Sequence, residues 1–250
     1  MSRLYIITSS INPREDNLTY SRKRSFFDKE SRLQQTVFTI KSIQSMDPGS
    51  RMILLDSSDD LESFQDQFLS FYNLEVYSTK KFGKEIHDII ASNRNKSACE
   101  CLMLGTYLET NRVELLQYDH IVKTTGRYVY SDFSPNILNE YQRSKFFFKK
   151  ELKFKWNDIW KYELVDSRSI DNDNYLHQYC TVLYAFGIEN LERMIDIYTG
   201  SFYILNHPDM IHYDIETLSN YFLRPYKSDM IEVPWTICGF DGVNGNLMHY

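Results

Sequence analysis

Three short apolar runs near the start of the chain, separated by segments with helical spacing, restrict the fold more than any other feature. Arg3 to Ile11 (RLYIITSSI), Arg51 to Asp56 (RMILLD) and Leu74 to Tyr77 (LEVY) read as buried strands. Between the first two, Leu33, Val37, Ile40 and Ile43 recur at helical intervals from Glu30 until Asp47-Pro48-Gly49 stops the helix. The pattern predicts a second amphipathic helix over about Asp60–Phe71. Strand, helix, strand, helix, strand in this order calls for a parallel sheet, because parallel neighbours need a crossover long enough to hold a helix.

Further along, helices are expected over Lys80–Ser92 and Ala98–Asn111, with the polar break Asn93–Ser97 between them, and a strand over Tyr118–Lys123. The second half changes character. Residues 134–165 alternate polar clusters with Phe146-Phe147-Phe148 and Phe154-Lys155-Trp156, which suggests a helix followed by sheet or irregular segments. A strand over Tyr179–Phe186, helices over Ile188–Tyr203 and His212–Leu223, and a short strand from Ile231 into a Gly/Asn-rich tail complete the expectation. At 250 residues the chain fits one domain with a sizeable core.

Composition removes several classes of function. A formal charge of −6 argues against general nucleic-acid binding, which needs a basic face, although Lys and Arg are dense over residues 143–161. No window approaches the roughly 20 apolar residues that cross a bilayer, and Leu4–Ile7 is too short for a signal-peptide core. The expectation is a cytoplasmic protein with at most peripheral contact at the inner face of the membrane. Cys99, Cys101, Cys180 and Cys238 show no CxxC spacing and no partner His cluster, so no metal is expected through them. Aromatics reach 15%, and tyrosine suits the faces of sugars and bases.

No GxGxxG follows the first strand, and GxxxxGK[ST], HExxH and GxSxG are absent. The stretch Tyr118–Phe133 (YDHIVKTTGRYVYSDF) stands out instead. An apolar strand gives out at Gly126 between two cations, Lys123 and Arg127. The carboxyl ends of α/β strands are where ligands sit, and Lys and Arg suit phosphate oxygens. An ordinary strand end with two solvated charges is the competing explanation.

Glu30–Asp56, with Arg32-x-x-Gln35-Thr36 and Ser42-Ile43 in its helix and a Pro-Gly-Ser turn before the next strand, resembles the opening of bacterial GT-A glycosyltransferases. Asn95–Glu100 (NKSACE), followed by Lys123-x-x-Gly126-Arg127-Tyr128, is similar to a K-S-x-x-E…K-x-x-G-R-Y pattern of surface-polysaccharide enzymes. The resemblance covers roughly residues 3–135. It implies a GT-A-like, Rossmann-like mixed sheet, mostly parallel, with helices on both faces, a nucleotide-binding half (1–133) and an acceptor-binding half (134–250). It also implies capsule or lipopolysaccharide biosynthesis, with a nucleotide-sugar donor and a glycan or lipid-linked acceptor. A sugar-phosphate nucleotidyltransferase and a non-catalytic GT-A-fold binding protein are the alternatives.

One departure matters. GT-A enzymes usually hold a divalent cation with an Asp-x-Asp after the central strand, and Lys-Thr-Thr-Gly-Arg-Tyr has no such pair. Fixed cations can neutralise a departing diphosphate without a metal, so no cofactor is expected. Mg²⁺ or Mn²⁺ on Asp132, Asp56, Asp59 or Asp60 is the less favoured choice. The resemblance places Thr8, Ser9 and Asp56 where base and ribose are met, polar residues that also serve to cap and turn strand ends. Lys123 and Arg127 are expected to face the diphosphate as fixed cations, with Gly126 and Tyr128 beside them as substrate-binding candidates, and Lys96 and Ser97 to reach it from the helix start at Ala98, where Ser97 is equally an N-cap. Asp241 and Asn244 in the tail would close over the substrate. A general base for the acceptor hydroxyl would come from Asp214 or Glu216, with His212 a lesser candidate. Acidic residues also favour helix N-termini for electrostatic reasons alone.

Overall fold

The computed structural model describes residues 1–15, 18, 24–141, 143–155, 175–207, 214–240 and 245–249. Its centre is a seven-stranded, mostly parallel sheet. The first half supplies β1 (Arg3–Ser9), β2 (Arg51–Asp56), β3 (Leu74–Ser78) and β4 (His120–Thr125). The second half adds β6 (Phe146–Phe148), β9 (Leu183–Gly187) and β10 (Met230–Glu232). The order across the sheet is β10-β6-β9-β4-β1-β2-β3, and β9 alone runs against the others.

Two consequences fix the site. The chain steps from β1 outward to β2 and β3, then returns to β4 on the other side of β1, which opens a crevice at the carboxyl ends of β1 and β4. Because β9 is reversed, its start lies at that same end, with Leu183 opposite Thr124 and Tyr184 opposite Phe148.

Side-chain alternation sends the sheet residues into two cores. Leu4, Ile6, Ile53, Leu55 and Ile121 face α2 (Lys84–Ser92), α3 (Lys96–Thr110), α5 (Leu191–Asn206) and α6 (Ile215–Leu223). Tyr5, Ile7, Met52, Leu54 and Val122 face α1 (Lys29–Met46) and a small sheet. That sheet joins β5 (Tyr128–Asp132), β11 (Thr236–Phe240) and β12 (Leu247–His249). A short α4 (Arg112–Leu115) and a ribbon of β7 (Leu152–Lys155) with β8 (Tyr175–Gln178) complete the described elements.

The helices start where capping chemistry says they should. Asp28 accepts the Ser31 amide at 2.8 Å to open α1, Asn95 accepts those of Ser97 and Ala98 to open α3, and Asp214 accepts that of Thr217 at 2.8 Å to open α6. The helix expected over Asp60–Phe71 is replaced by two 3₁₀ turns, Leu61–Ser63 and Gln65–Phe68. Phe64, at φ −140° and ψ 1°, leaves the helical region between them, and Leu61, Phe64 and Phe68 are all buried. Another 3₁₀ segment, Pro135–Glu140, stands where a helix was expected after residue 134. The strand expected over Tyr179–Phe186 forms only from Leu183 onward, as β9, with residues 179–182 outside any strand, and Trp156 lies outside the described residues.

Candidate functional site

At the crevice between β1 and β4 the structure has a cavity of about 110 Å³. Thr8, Ser9 and Ser10 at the end of β1, Ser57 after β2, and Thr125, Gly126 and Arg127 at the end of β4 form its floor. Arg32 and Thr36 of α1, Arg24 before it, and Lys96, Cys99 and Glu100 of α3 form its walls.

Gly126 brings these parts together. Its amide donates to Thr8 O at 2.9 Å, extending the β1 ladder, and its carbonyl accepts the Thr36 hydroxyl at 3.0 Å. A Cβ at this position would stand 2.9 Å from Thr36 Oγ1, so glycine is what lets α1 approach the turn. Arg32 is one helical turn before Thr36, on the same face of α1, and is carried to the cavity beside Arg127.

Charge is lopsided here. Arg24, Arg32, Arg127 and Lys96 line the cavity against a single carboxylate, Glu100, whose ion-pair partner is Lys123. Arg32 is 9% exposed; its Nε donates to Ser10 O at 2.6 Å and Nη1 to Ser25 Oγ at 3.0 Å. Neither Arg32 nor Arg127 forms an ion pair with a carboxylate among the described residues. Burial, then repulsion from Arg127, holds the Arg32 guanidinium down to about 9; Asp56 opposes this and Arg24 adds to it. Arg24 is also buried, and donates to the carbonyls of Asn93 (2.8 Å) and Ile90 (3.4 Å) at the end of α2 and to Cys99 Sγ (3.1 Å). Carbonyls at a helix C-terminus suit a cation.

Of the residues expected at the nucleoside and diphosphate, Thr8, Ser9, Lys96, Gly126 and Arg127 meet at this cavity, and four others do not line it. Asp56 is fully buried and accepts the amides of Ile11 (3.0 Å) and Ser58 (2.8 Å), which clamps the loops after β1 and β2 together. Ser97 gives its amide to the α3 cap. Tyr128 is buried in β5, with the Arg127 guanidinium 5.9 Å above its ring. Lys123 stands two residues after Ile121, so it points at α3: it is 2% exposed, ion-paired to Glu100, and donates to Thr181 O at 2.7 Å. Asp241, Asn244 and His212 lie outside the described residues. Arg24 and Arg32 were missed; Arg32 stood within the quoted helix motif, and Arg24 had no local signal.

Of the carboxylates considered for a divalent ion, Asp59 pairs with Arg14 and His87, Asp60 with Lys29 and Asn12, and Asp56 with two amides. Asp132 is exposed at the end of β5, and no group of three or more His, Cys, Asp or Glu residues suited to a metal occurs among the described residues.

Beyond Lys123 lies Glu216, in the first turn of α6. Thr181 Oγ1 donates to its Oε1 at 2.7 Å. Burial and the neighbouring Asp214 push the Glu216 carboxyl up to about 7, against the Thr181 hydroxyl and with a smaller contribution from Glu100. Asp214 itself is occupied as the α6 cap and as acceptor from Gln178 Nε2 at 2.9 Å. Glu216 retains some solvent contact, whereas its surroundings are protein-dense. That combination suits a carboxylate that trades protons near neutrality.

No protein-family model matches the chain, and no curated protein matches it, so the chemistry of the site has to be read from these residues.

Proposed function

We propose that this protein is a GT-A-type glycosyltransferase of surface-polysaccharide assembly, moving a sugar from a nucleotide donor to a glycan or lipid-linked acceptor without a bound metal. The observation that carries the proposal is the cationic cavity at the β1/β4 crevice, above all the buried Arg32 held beside Arg127 and Arg24 with no carboxylate partner among the described residues. Guanidinium groups such as Arg32 and Arg127, with no ion pair among the described residues, suit an anion that arrives with the ligand. The diphosphate of a sugar nucleotide supplies one, and Arg forks suit its oxygens.

In this proposal Arg32, Arg127 and Arg24 bind the diphosphate and stabilise the charge that grows as it leaves the anomeric carbon. Thr8, Ser9, Ser10 and Ser57 offer hydroxyls and backbone groups to the nucleoside. Glu216 takes the acceptor hydroxyl proton as the new C–O bond forms. The test is nucleotide release from a panel of UDP-, GDP- and CMP-sugars, with and without added glycan acceptors. Release of a nucleoside diphosphate that stops in Arg127→Ala is the expected result. Binding without release would identify a non-catalytic module, and neither binding nor release would remove the proposal.

A further inference from the structure

Lys123 lies between two carboxylates that belong to different parts of the site. On one side its ammonium is ion-paired to Glu100, and Glu100 Oε1 accepts from Thr8 Oγ1 in the cavity floor at 3.3 Å. On the other side the ammonium donates to Thr181 O at 2.7 Å, and the hydroxyl of that same Thr181 donates to Glu216 at 2.7 Å. A continuous polar chain therefore runs from the cavity to the carboxylate at the start of α6. Five parts of the fold contribute to it: β1, α3, β4, the segment leading into β9, and α6.

We propose that Lys123 is a positioning residue for Glu216: it anchors the Thr181 carbonyl so that the Thr181 hydroxyl is presented to the carboxylate, and it does not itself bind phosphate. The role rests on the assignment of Glu216 as acid–base group in the glycosyl-transfer proposal. The geometry favours positioning because the ammonium is buried, points at α3 and has its acceptors in place.

Other groups also set the state of Glu216. Asp214 is next to it on α6, and Glu100 and Cys101 approach from α3. Cys180 precedes Thr181, and Lys149 at the end of β6 acts on Cys180. The test must therefore isolate the Thr181 link.

Glu216 is titrated by carbon-13 NMR of labelled glutamate carboxyls, assigned with Glu216→Gln, while UDP and GDP affinities are measured by calorimetry. Lys123→Met in a Glu100→Gln background, compared with Glu100→Gln alone, removes the anchor without leaving that carboxylate unpaired between the cavity and Glu216, and Thr181→Val removes only the hydroxyl and serves if the first variant fails to fold. In either variant the Glu216 midpoint is expected to rise by about half a pH unit or more, because a hydrogen bond to the charged form is lost. Nucleotide affinity is expected to stay within about threefold, since no phosphate contact is removed. A Glu216 midpoint that does not move in a folded variant, or a larger loss of nucleotide affinity, overturns the assignment. If wild type binds neither UDP nor GDP, the sugar-nucleotide proposal fails separately, and the titration still decides the role of Lys123.

Discussion

Replacing Arg32 with methionine keeps much of the side chain's length and removes its charge. Holding this guanidinium in the folded protein depresses its proton affinity well below the usual arginine value, to about 9. That drop corresponds to roughly 5 kcal/mol against the folded state, at 1.36 kcal/mol per pKa unit. The sign follows from linkage. The folded value lies below the unfolded one, so the cost is complete at any pH below about 9 and fades only as pH climbs from there toward the unfolded value. At pH 7 all of it is present. Against it stand the two hydrogen bonds to Ser10 O and Ser25 Oγ, worth about 1–2 kcal/mol each when their acceptors are left behind. Arg32→Met should therefore stabilise the ligand-free protein by roughly 1–3 kcal/mol, a rise of several degrees in Tm for a chain of this size. The same change should weaken nucleoside diphosphate binding by about 10- to 150-fold, the loss of one charge-assisted contact of about 1.5–3 kcal/mol. Differential scanning calorimetry of the free protein and titration calorimetry with UDP and GDP measure the two effects. A variant that melts lower and binds as tightly as wild type would refute the reasoning, because Arg32 would then be a structural residue.

Three more outcomes are expected. Turnover should rise with pH through about 7 as Glu216 loses its proton, and Glu216→Gln should lower it by about 10²- to 10⁴-fold with donor affinity kept; a flat pH profile would exclude this base. His120 is fully buried with neither ring nitrogen hydrogen-bonded among the described residues, and burial holds it down to about 4. Its folded value is below the unfolded 6.5, so stability present above pH 6.5 is lost as pH falls toward 4, by about 3 kcal/mol in all. Urea denaturation at pH 7, 5.5 and 4.5 should show this loss, and His120→Leu should lack it. Sugar transfer should survive EDTA, and dependence on added Mn²⁺ would show that a metal does what is assigned to the arginines.

The alternating strand and helix pattern made the first half of the sheet legible, because β1, β2 and β4 are apolar runs and α1 ends at Pro48-Gly49. The place of Gly126-Arg127 at the cavity was legible for the same reason: a cation beside a glycine at a strand's carboxyl end. Lys123 could have been placed by the two-residue alternation from Ile121, but its partner Glu100 is only found once α3 lies on that face. Arg24 and Arg32 join Arg127 through the packing of α1 against the β4–β5 turn, a long-range contact that no local pattern carries. Helical spacing over Asp60–Phe71 misled because a 3₁₀ turn buries Leu61, Phe64 and Phe68 at nearly the same intervals.

In the proposed mechanism arginines, with no metal, hold a diphosphate at the β1/β4 crevice. A crystal structure of the protein soaked with UDP or GDP in EDTA decides this. Phosphate oxygens are expected within hydrogen-bond distance of the Arg32 and Arg127 guanidinium groups, with Lys123 still bound to Glu100 and Thr181. A nucleotide bound elsewhere, or phosphates held by Lys123 or by a carboxylate-bound cation, would contradict it.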